Sequence, residues 1–283
     1  MSWQLFLIIS IFCLSLNGLF HRSLLKDDKS DAKAQTLVFL SLGGLLTILI
    51  ALVRGKLQIV LPHNLLLNFL ILAILGAVAY FYKYRGYQLI GAAEVIIFST
   101  TSKLWNVIGG FLFLNEAVAL RQVFGSLIII AGISIAIFSD RKFQINKEGL
   151  FVLLSAMLFG MVDINGYYIL RDVEATTYQI YFYFLPVLAL LLIQPKTITK
   201  IVYYLNPVRG IKVTLLSIFD TLGMLALFYS YQAGGKASVI GPLSASKVII
   251  TTILGFIILR ERDHLMNKLV GAIVTVIGVV LLL

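Results

Sequence analysis

Apolar residues in this chain run in long unbroken stretches, without the short-period alternation of a half-buried helix or strand. A helix needs about 20 mostly apolar residues to cross the hydrocarbon core of a bilayer. Ten such stretches occur: Trp3–Phe20, Thr36–Val53, Leu65–Tyr84, Leu89–Leu114, Ala119–Phe138, Gly149–Leu170, Tyr178–Ile193, Ile211–Tyr231, Ser238–Leu259 and Leu265–Leu283. Each predicts a membrane-spanning helix. The gaps are short, the longest being His21–Gln35 and Gln194–Gly210, and no Gly-rich phosphate-binding loop interrupts them. No positive charge precedes the first stretch and no small-residue cleavage site follows it before His21-Arg22, so it reads as a retained span.

Composition agrees with this pattern. Of 283 residues, 60% are hydrophobic and 13% charged, against about 45–50% and about 25% in soluble domains. That excludes a lone water-soluble domain, and such hydrophobicity also excludes intrinsic disorder. The expected fold class is all-α integral membrane, with ten transmembrane helices. The formal net charge of +10 does not point to nucleic acid, because the basic residues lie mostly in short segments between apolar stretches, where they act as anchors. Cys13, the single cysteine, has no partner for an internal disulfide. His21, His63 and His264 fall in separate segments without the spacing of a zinc site, and no serine has a recognisable catalytic partner. No metal, cofactor or enzymatic centre is expected.

The chain repeats itself. Gly110-Phe111-Leu112-Phe113-Leu114-Asn115-Glu116 is answered by Gly255-Phe256-Ile257-Ile258-Leu259-Arg260-Glu261, 145 positions on. Ser102-Lys103-Leu104 is answered by Ser246-Lys247-Val248, Tyr87-Gln88 by Tyr231-Gln232, and Asn17-Gly18 by Asn165-Gly166, with offsets between 144 and 148. The repeats predict two halves, 1–140 and 141–283, of five spans each. Five is odd, so the second half enters the membrane from the opposite side. Inverted repeats of this kind are typical of alternating-access transporters with a midplane site.

The paired Leu-x-Glu endings, Leu114–Glu116 and Leu259–Glu261, are each followed by a Gly-punctuated span, Gly125 to Gly132 and Gly271 to Gly278. With ten spans of this length, the whole chain resembles the EamA-type proteins of the drug/metabolite transporter superfamily. The resemblance implies a two-fold basket whose central cavity binds small metabolites. Lys103 and Val248 stand where members of that family often carry a mid-helix proline, so no amino-acid or drug substrate is carried over.

A charge at the bilayer centre costs about 2.5–3.5 kcal/mol on insertion scales, so each one calls for a reason. Lys103 shares a helical face with Ser99, Thr100, Asn106 and Gly110, and Lys247 with Ser244, Thr251 and Gly255. Both faces are small and polar, as a wet cavity requires. Pro242 can open the ninth helix locally. Asp163 and Asp220 are the acids inside the sixth and eighth spans. Two readings are open. In one, Lys103 and Lys247 form a cationic site for a carboxylate or phosphate, as basic residues do in related sugar-phosphate transporters. In the other, each lysine pairs with Asp163 or Asp220 as an interhelical clamp. The two aspartates are also candidates for proton coupling, because burial raises a carboxyl pKa.

Asn106 and Ser244, on the two lysine faces, complete the expected substrate site with Tyr87, Gln88, Tyr231 and Gln232, which the repeat pairs. Tyr178, Tyr181 and Tyr183 read as an interfacial belt, and Glu116 and Glu261 as interfacial helix ends. Lys83 falls in the loop count: segments after odd-numbered spans hold sixteen Lys and Arg, those after even-numbered spans five. That bias places both termini outside, whereas the resemblance places them inside. The expected protein is a secondary transporter of a small metabolite in the bacterial inner membrane, with lipid as its surroundings and no nucleic-acid partner. Monomer and homodimer both remain open. The alternative is a flippase, or a membrane-embedded enzyme, acting on lipid-linked substrates.

Overall fold

The computed structural model describes residues 2–25, 31–55, 57–59, 61–89, 98–117, 119–137, 147–247, 250 and 265–282. They are organised as α1 (Trp3–Leu25), α2 (Ala32–Val53), α3 (Leu66–Leu89), α4 (Ser102–Leu114), α5 (Leu120–Ile137), α6 (Lys147–Ile169), α7 (Ala175–Ile193), α8 (Pro207–Gln232), α9 (Ala237–Ala245) and α10 (Leu265–Leu282). Two 3-10 segments, His63–Leu65 and Pro195–Leu205, precede α3 and α8. No strand occurs among the described residues. Five stretches along α2, α3 with the 3-10 turn before it, α6, α7 and α8 are long and apolar enough to cross a membrane: Lys33–Val53, His63–Lys83, Gly149–Ile169, Ala175–Ile193 and Pro207–Gln232. Trp3–Leu16 and Leu120–Ile135 are shorter apolar stretches.

Several helices begin earlier than their apolar stretches because polar residues form the first turn and its cap. Asp31 Oδ1 accepts from the amides of Lys33 (2.9 Å) and Ala34 (3.2 Å) at the head of α2. Glu174 does the same for Thr176 (2.7 Å) and Thr177 (3.2 Å) at the head of α7. Asn206 caps α8 with Pro207 at its first position, where a missing N–H costs nothing. Hydropathy does not register such turns.

The principal pairings all join the two halves: α1 packs on α8, α3 on α6, α2 on α7 and α8, α4 on α6 and α9, and α5 on α10. Exchanging the halves turns the α1–α8 pair into α6–α3 and leaves α2–α7, α4–α9 and α5–α10 in place. Glycine permits the closest approach, between α5 and α10. A Cβ on Gly278 would stand 2.7 Å from both the Gly125 carbonyl oxygen and the Ile129 nitrogen. Small residues let backbones meet in this way where lipid removes the hydrophobic drive for helix association. Asn68 and Asn165 join α3 to α6 through Asn68 Nδ2 to Asn165 Oδ1 (2.7 Å) and Asn165 Nδ2 to the Asn68 carbonyl (2.9 Å). Large apolar side chains such as Phe12, Leu49, Phe113 and Leu192 point outward. That is costly in water and natural against hydrocarbon.

Two expectations are corrected here. Tyr178, Tyr181 and Tyr183 do not form a belt; all three are buried, with the Tyr178 ring edge-on to Phe228 at 4.8 Å. Glu174 caps α7, which starts three residues before Tyr178 and carries these rings into the interior. Lys83 is not a loop residue either, since α3 continues six residues beyond it to Leu89.

Candidate functional site

The fourth and ninth helices are both interrupted just before a lysine. Ahead of α4, the Thr101 amide reaches the Phe98 carbonyl (3.2 Å) and Thr101 Oγ1 donates to the same oxygen at 2.6 Å. The Leu104 amide then bonds back to Thr101 (3.0 Å). These i−3 bonds tighten the chain into a 3-10-like turn. At the end of α9, Ser246 repeats the pattern on Leu243, with its amide at 3.1 Å and its hydroxyl at 2.7 Å. Pro242 lacks an N–H and loosens α9 one turn earlier. Ser244 is buried and donates to the Gly241 carbonyl at 2.6 Å. Ser15 Oγ on α1 donates to the carbonyl of Lys247 (3.0 Å), tying the second break to α1.

Lys103 Nζ lies 2.9 Å from Asp163 Oδ2, so α4 and α6 share an ion pair inside the bundle. The side chains are 16% and 21% exposed, low enough to be interior and high enough for a solute to reach. Asn106 Nδ2 donates to the same carboxylate oxygen at 3.1 Å. Asn106 is fully buried, and its Oδ1 has no partner among the described residues. Gly241 leaves room for it: a Cβ there would stand 2.5 Å from Asn106 Nδ2. The Asp163 site is thus built by α4, α6 and the broken α9. Asp220, on α8, is buried and accepts from the Tyr183 hydroxyl at 2.7 Å. Gln179 Nε2 anchors that corner by donating to the Thr221 carbonyl (2.8 Å). Lys247 is half-buried and within electrostatic range of Lys103, Lys83, Asp220 and Asp163.

Lys83, expected as an anchor, turns into the bundle. Its ammonium sits over the Phe159 ring, 5.3 Å from the centroid. The available signal was the run Tyr84, Tyr87 and Leu89, which continues the helical pattern of the third span past Lys83.

Tyr87 and Gln88 lie on α3, but their side chains are outside the described residues, as is Glu261. Tyr231 is buried, edge-on to Tyr167 with centroids 5.3 Å apart. Gln232 sits at the end of α8 and is exposed. Its amide donates to the Leu170 (3.1 Å) and Val173 (2.8 Å) carbonyls and accepts from the Ala175 amide (3.2 Å). Glu116 departs from the expected exposed helix end. It is buried, and its two carboxylate oxygens accept from the amides of Ala237 and Ser238, each at 2.9 Å. Asn115 adopts a left-handed conformation (φ 53°), which turns the chain so that Glu116 caps α9 across the repeat boundary.

Where three spans end, Arg54 Nη1 bonds the Tyr229 hydroxyl and lies 3.9 Å from Glu174 Oε1, to which Tyr229 donates at 2.6 Å. Burial pushes the Glu174 pKa upward. The Tyr229 hydroxyl and the amides of Thr177 and Thr176 outweigh it and hold the carboxyl below its ordinary value. At the head of α2, Lys200 and the amides of Ala34 and Lys33 likewise outweigh burial and lower the Asp31 pKa. No cluster of three or more metal-ligating side chains is found among the described residues.

Comparison with known proteins adds a family. Residues 1–138 and 146–283 each match the model for the EamA-like transporter family. Among 29 matching chains of known structure, one crystal structure superposes with a TM-score of 0.78 over 99% of this chain and 95% of its own, at 17% sequence identity. That likeness concerns the fold alone. No curated protein is matched by sequence.

Proposed function

Because the chain belongs to the EamA-like transporter family, whose members carry small molecules across membranes, we propose that it is a secondary transporter for a small metabolite bearing an anionic group. Its two halves, 1–140 and 141–283, act as inverted five-span repeats that expose a midplane site to each side in turn. The bacterial inner membrane is the proposed location. The observation that carries the reading is the partly accessible Lys103–Asp163 pair inside the bundle, with Asn106 on the same carboxylate. Lys103 and Lys247 bind the anionic group as point charges, and Asn106 and Ser244 complete the polar wall. Tyr87, Gln88, Tyr231 and Gln232, which the repeat pairs, are the further substrate-binding candidates.

The pair supplies a route to coupling. Protonation of Asp163 removes the attraction that holds Lys103, and the freed ammonium takes the cargo anion. Release reverses both steps, so proton and anion travel together. Asp220, within electrostatic range of Lys247, is the second proton-coupling candidate.

The test is a solute screen in proteoliposomes, run with and without a pH gradient and with a lipid-scrambling arm. Uptake of an anionic solute that is lost in both Lys103→Ala and Lys247→Ala is the expected result. Undiminished uptake by both folded variants refutes the site, and scrambling without solute uptake refutes the transport reading in favour of lipid handling.

A further inference from the structure

We propose that the corner between the 3-10 segment Pro195–Leu205 and the head of α8 binds anionic phospholipid, with Arg209 and Lys212 on the headgroup phosphate and Val202, Val208 and Ile211 against the acyl chains.

The position of the corner indicates its occupant. The span of α7 ends at Ile193 and that of α8 begins at Pro207, so the segment between them lies where two helices leave the hydrocarbon, at the level of lipid headgroups. Helices in a bundle are commonly joined by about 2–8 residues. Here eleven residues take regular structure, and at about 2 Å per residue they run about 22 Å along the surface.

The segment is fastened to protein on one side and open to lipid on the other. Thr197 and Tyr204 are buried, and the Tyr204 hydroxyl donates to the Asp31 carbonyl at 3.1 Å. Ile198 and Val202 face away, 55% and 67% exposed. Val208 and Ile211 continue this apolar surface onto the first turns of α8. An apolar outer face with a basic margin is the pattern of a segment that lies in the plane of the membrane interface.

Arg209 and Lys212 form that margin. They are three residues apart, hence neighbours on one side of α8, and both are half-buried. The Arg209 guanidinium lies over the Tyr203 ring, 3.8 Å from its centroid, which fixes the angle between the 3-10 segment and α8. Lys212 stands inside the apolar span, and its stem runs along the helix to bring the ammonium up to the phosphate level. Asp31, an acid at this corner, is engaged by Lys200 and by the amides of Lys33 and Ala34. Asp27 and Asp28 lie outside the described residues. A zwitterionic headgroup carries its own cation beside the phosphate, so two basic side chains at this level favour an anionic one.

The experiment needs neither transport nor its cargo, so it stands apart from the transport reading. Full-length protein is stripped of lipid in a neutral detergent. Dioleoyl phosphatidylglycerol and dioleoyl phosphatidylcholine are then added separately at matched concentrations, and binding of the first lipid is read by native mass spectrometry.

The expected preference for phosphatidylglycerol is about twentyfold. It falls about fivefold in Arg209→Gln and, independently, in Lys212→Gln, the effect of one basic residue at an anionic surface. Either variant suffices if the other fails to elute as a monodisperse species. Arg171→Gln, at an exposed position beyond α6, retains the preference. Val202→Ser weakens both lipids and leaves their ratio in place. A parent that does not distinguish the two lipids overturns the proposal, and so does a preference unchanged within about twofold in a folded Arg209 or Lys212 variant. Displacement of phosphatidylglycerol by an equal concentration of glycerol 3-phosphate also overturns it, because the occupant is then a soluble phosphate.

Discussion

Glu116 offers the sharpest structural test, because its role is confined to two hydrogen bonds with known surroundings. In Glu116→Ala the amides of Ala237 and Ser238 lose their acceptors, and these residues are only 2% and 0% exposed. Water cannot take over. Removing a helix cap costs about 0.5–2 kcal/mol, and each buried N–H left without a partner costs about 1–3 kcal/mol. These costs overlap, so the net expected loss is about 2–4 kcal/mol. Glu116→Gln keeps one carbonyl acceptor and loses the charge at the helix N-terminus, and should lose about half as much. The assay is thermal unfolding of the purified full chain in detergent, followed by intrinsic fluorescence. At roughly 2–4 °C per kcal/mol, Glu116→Ala should melt at least about 4 °C lower than the parent, with Glu116→Gln between the two. Lys196→Ala, at an exposed position, serves as the control and should not move. If Glu116→Ala melts within about one degree of the parent, the cap does not hold α4 to α9.

Four further outcomes follow from the geometry. Gly278→Ala drives a Cβ to 2.7 Å from backbone atoms of α5 and should destabilise by about 1–3 kcal/mol, read in the same melting assay; a neutral result contradicts the close α5–α10 contact. Tyr183→Phe removes the donor to buried Asp220 and should cost about 1–3 kcal/mol, whereas an unchanged melting point would place that hydroxyl outside the network. Asp31 and Glu174 have folded-state carboxyls below their ordinary values. Their stabilisation is fully present above the unfolded carboxyl pKa of about 4, and it fades as pH falls through the folded values; Glu174→Gln should melt lower at pH 7 and show a shallower acid-induced drop than the parent. Asp163→Asn should abolish the dependence of uptake on a pH gradient, and retention of that dependence moves the coupling to Asp220.

The membrane class and the duplication were legible in the sequence because each rests on local information. Long apolar stretches carry their meaning without reference to neighbours, and a duplication is visible as recurring residues at a fixed offset. The breaks before Lys103 and Lys247 were half legible. Pro242 announced the second, whereas the first is made by Thr101 bonding to Phe98, a choice threonine makes only in context.

What the tertiary structure decided is which charges meet. Lys103 and Asp163 stand 60 residues apart, and no periodicity within either helix reveals that α4 and α6 face each other in register. Lys83 looked like an anchor because the hydropathy pattern ends near it, yet the fit of Tyr80 and Ser155 between α3 and α6 turns it inward. Glu116 looked like an exposed helix end until the left-handed turn at Asn115 aimed it at α9. Hydropathy is a property of single residues and determines which segments leave water. Partnership between polar groups depends on helix rotation and axial register, which only packing sets.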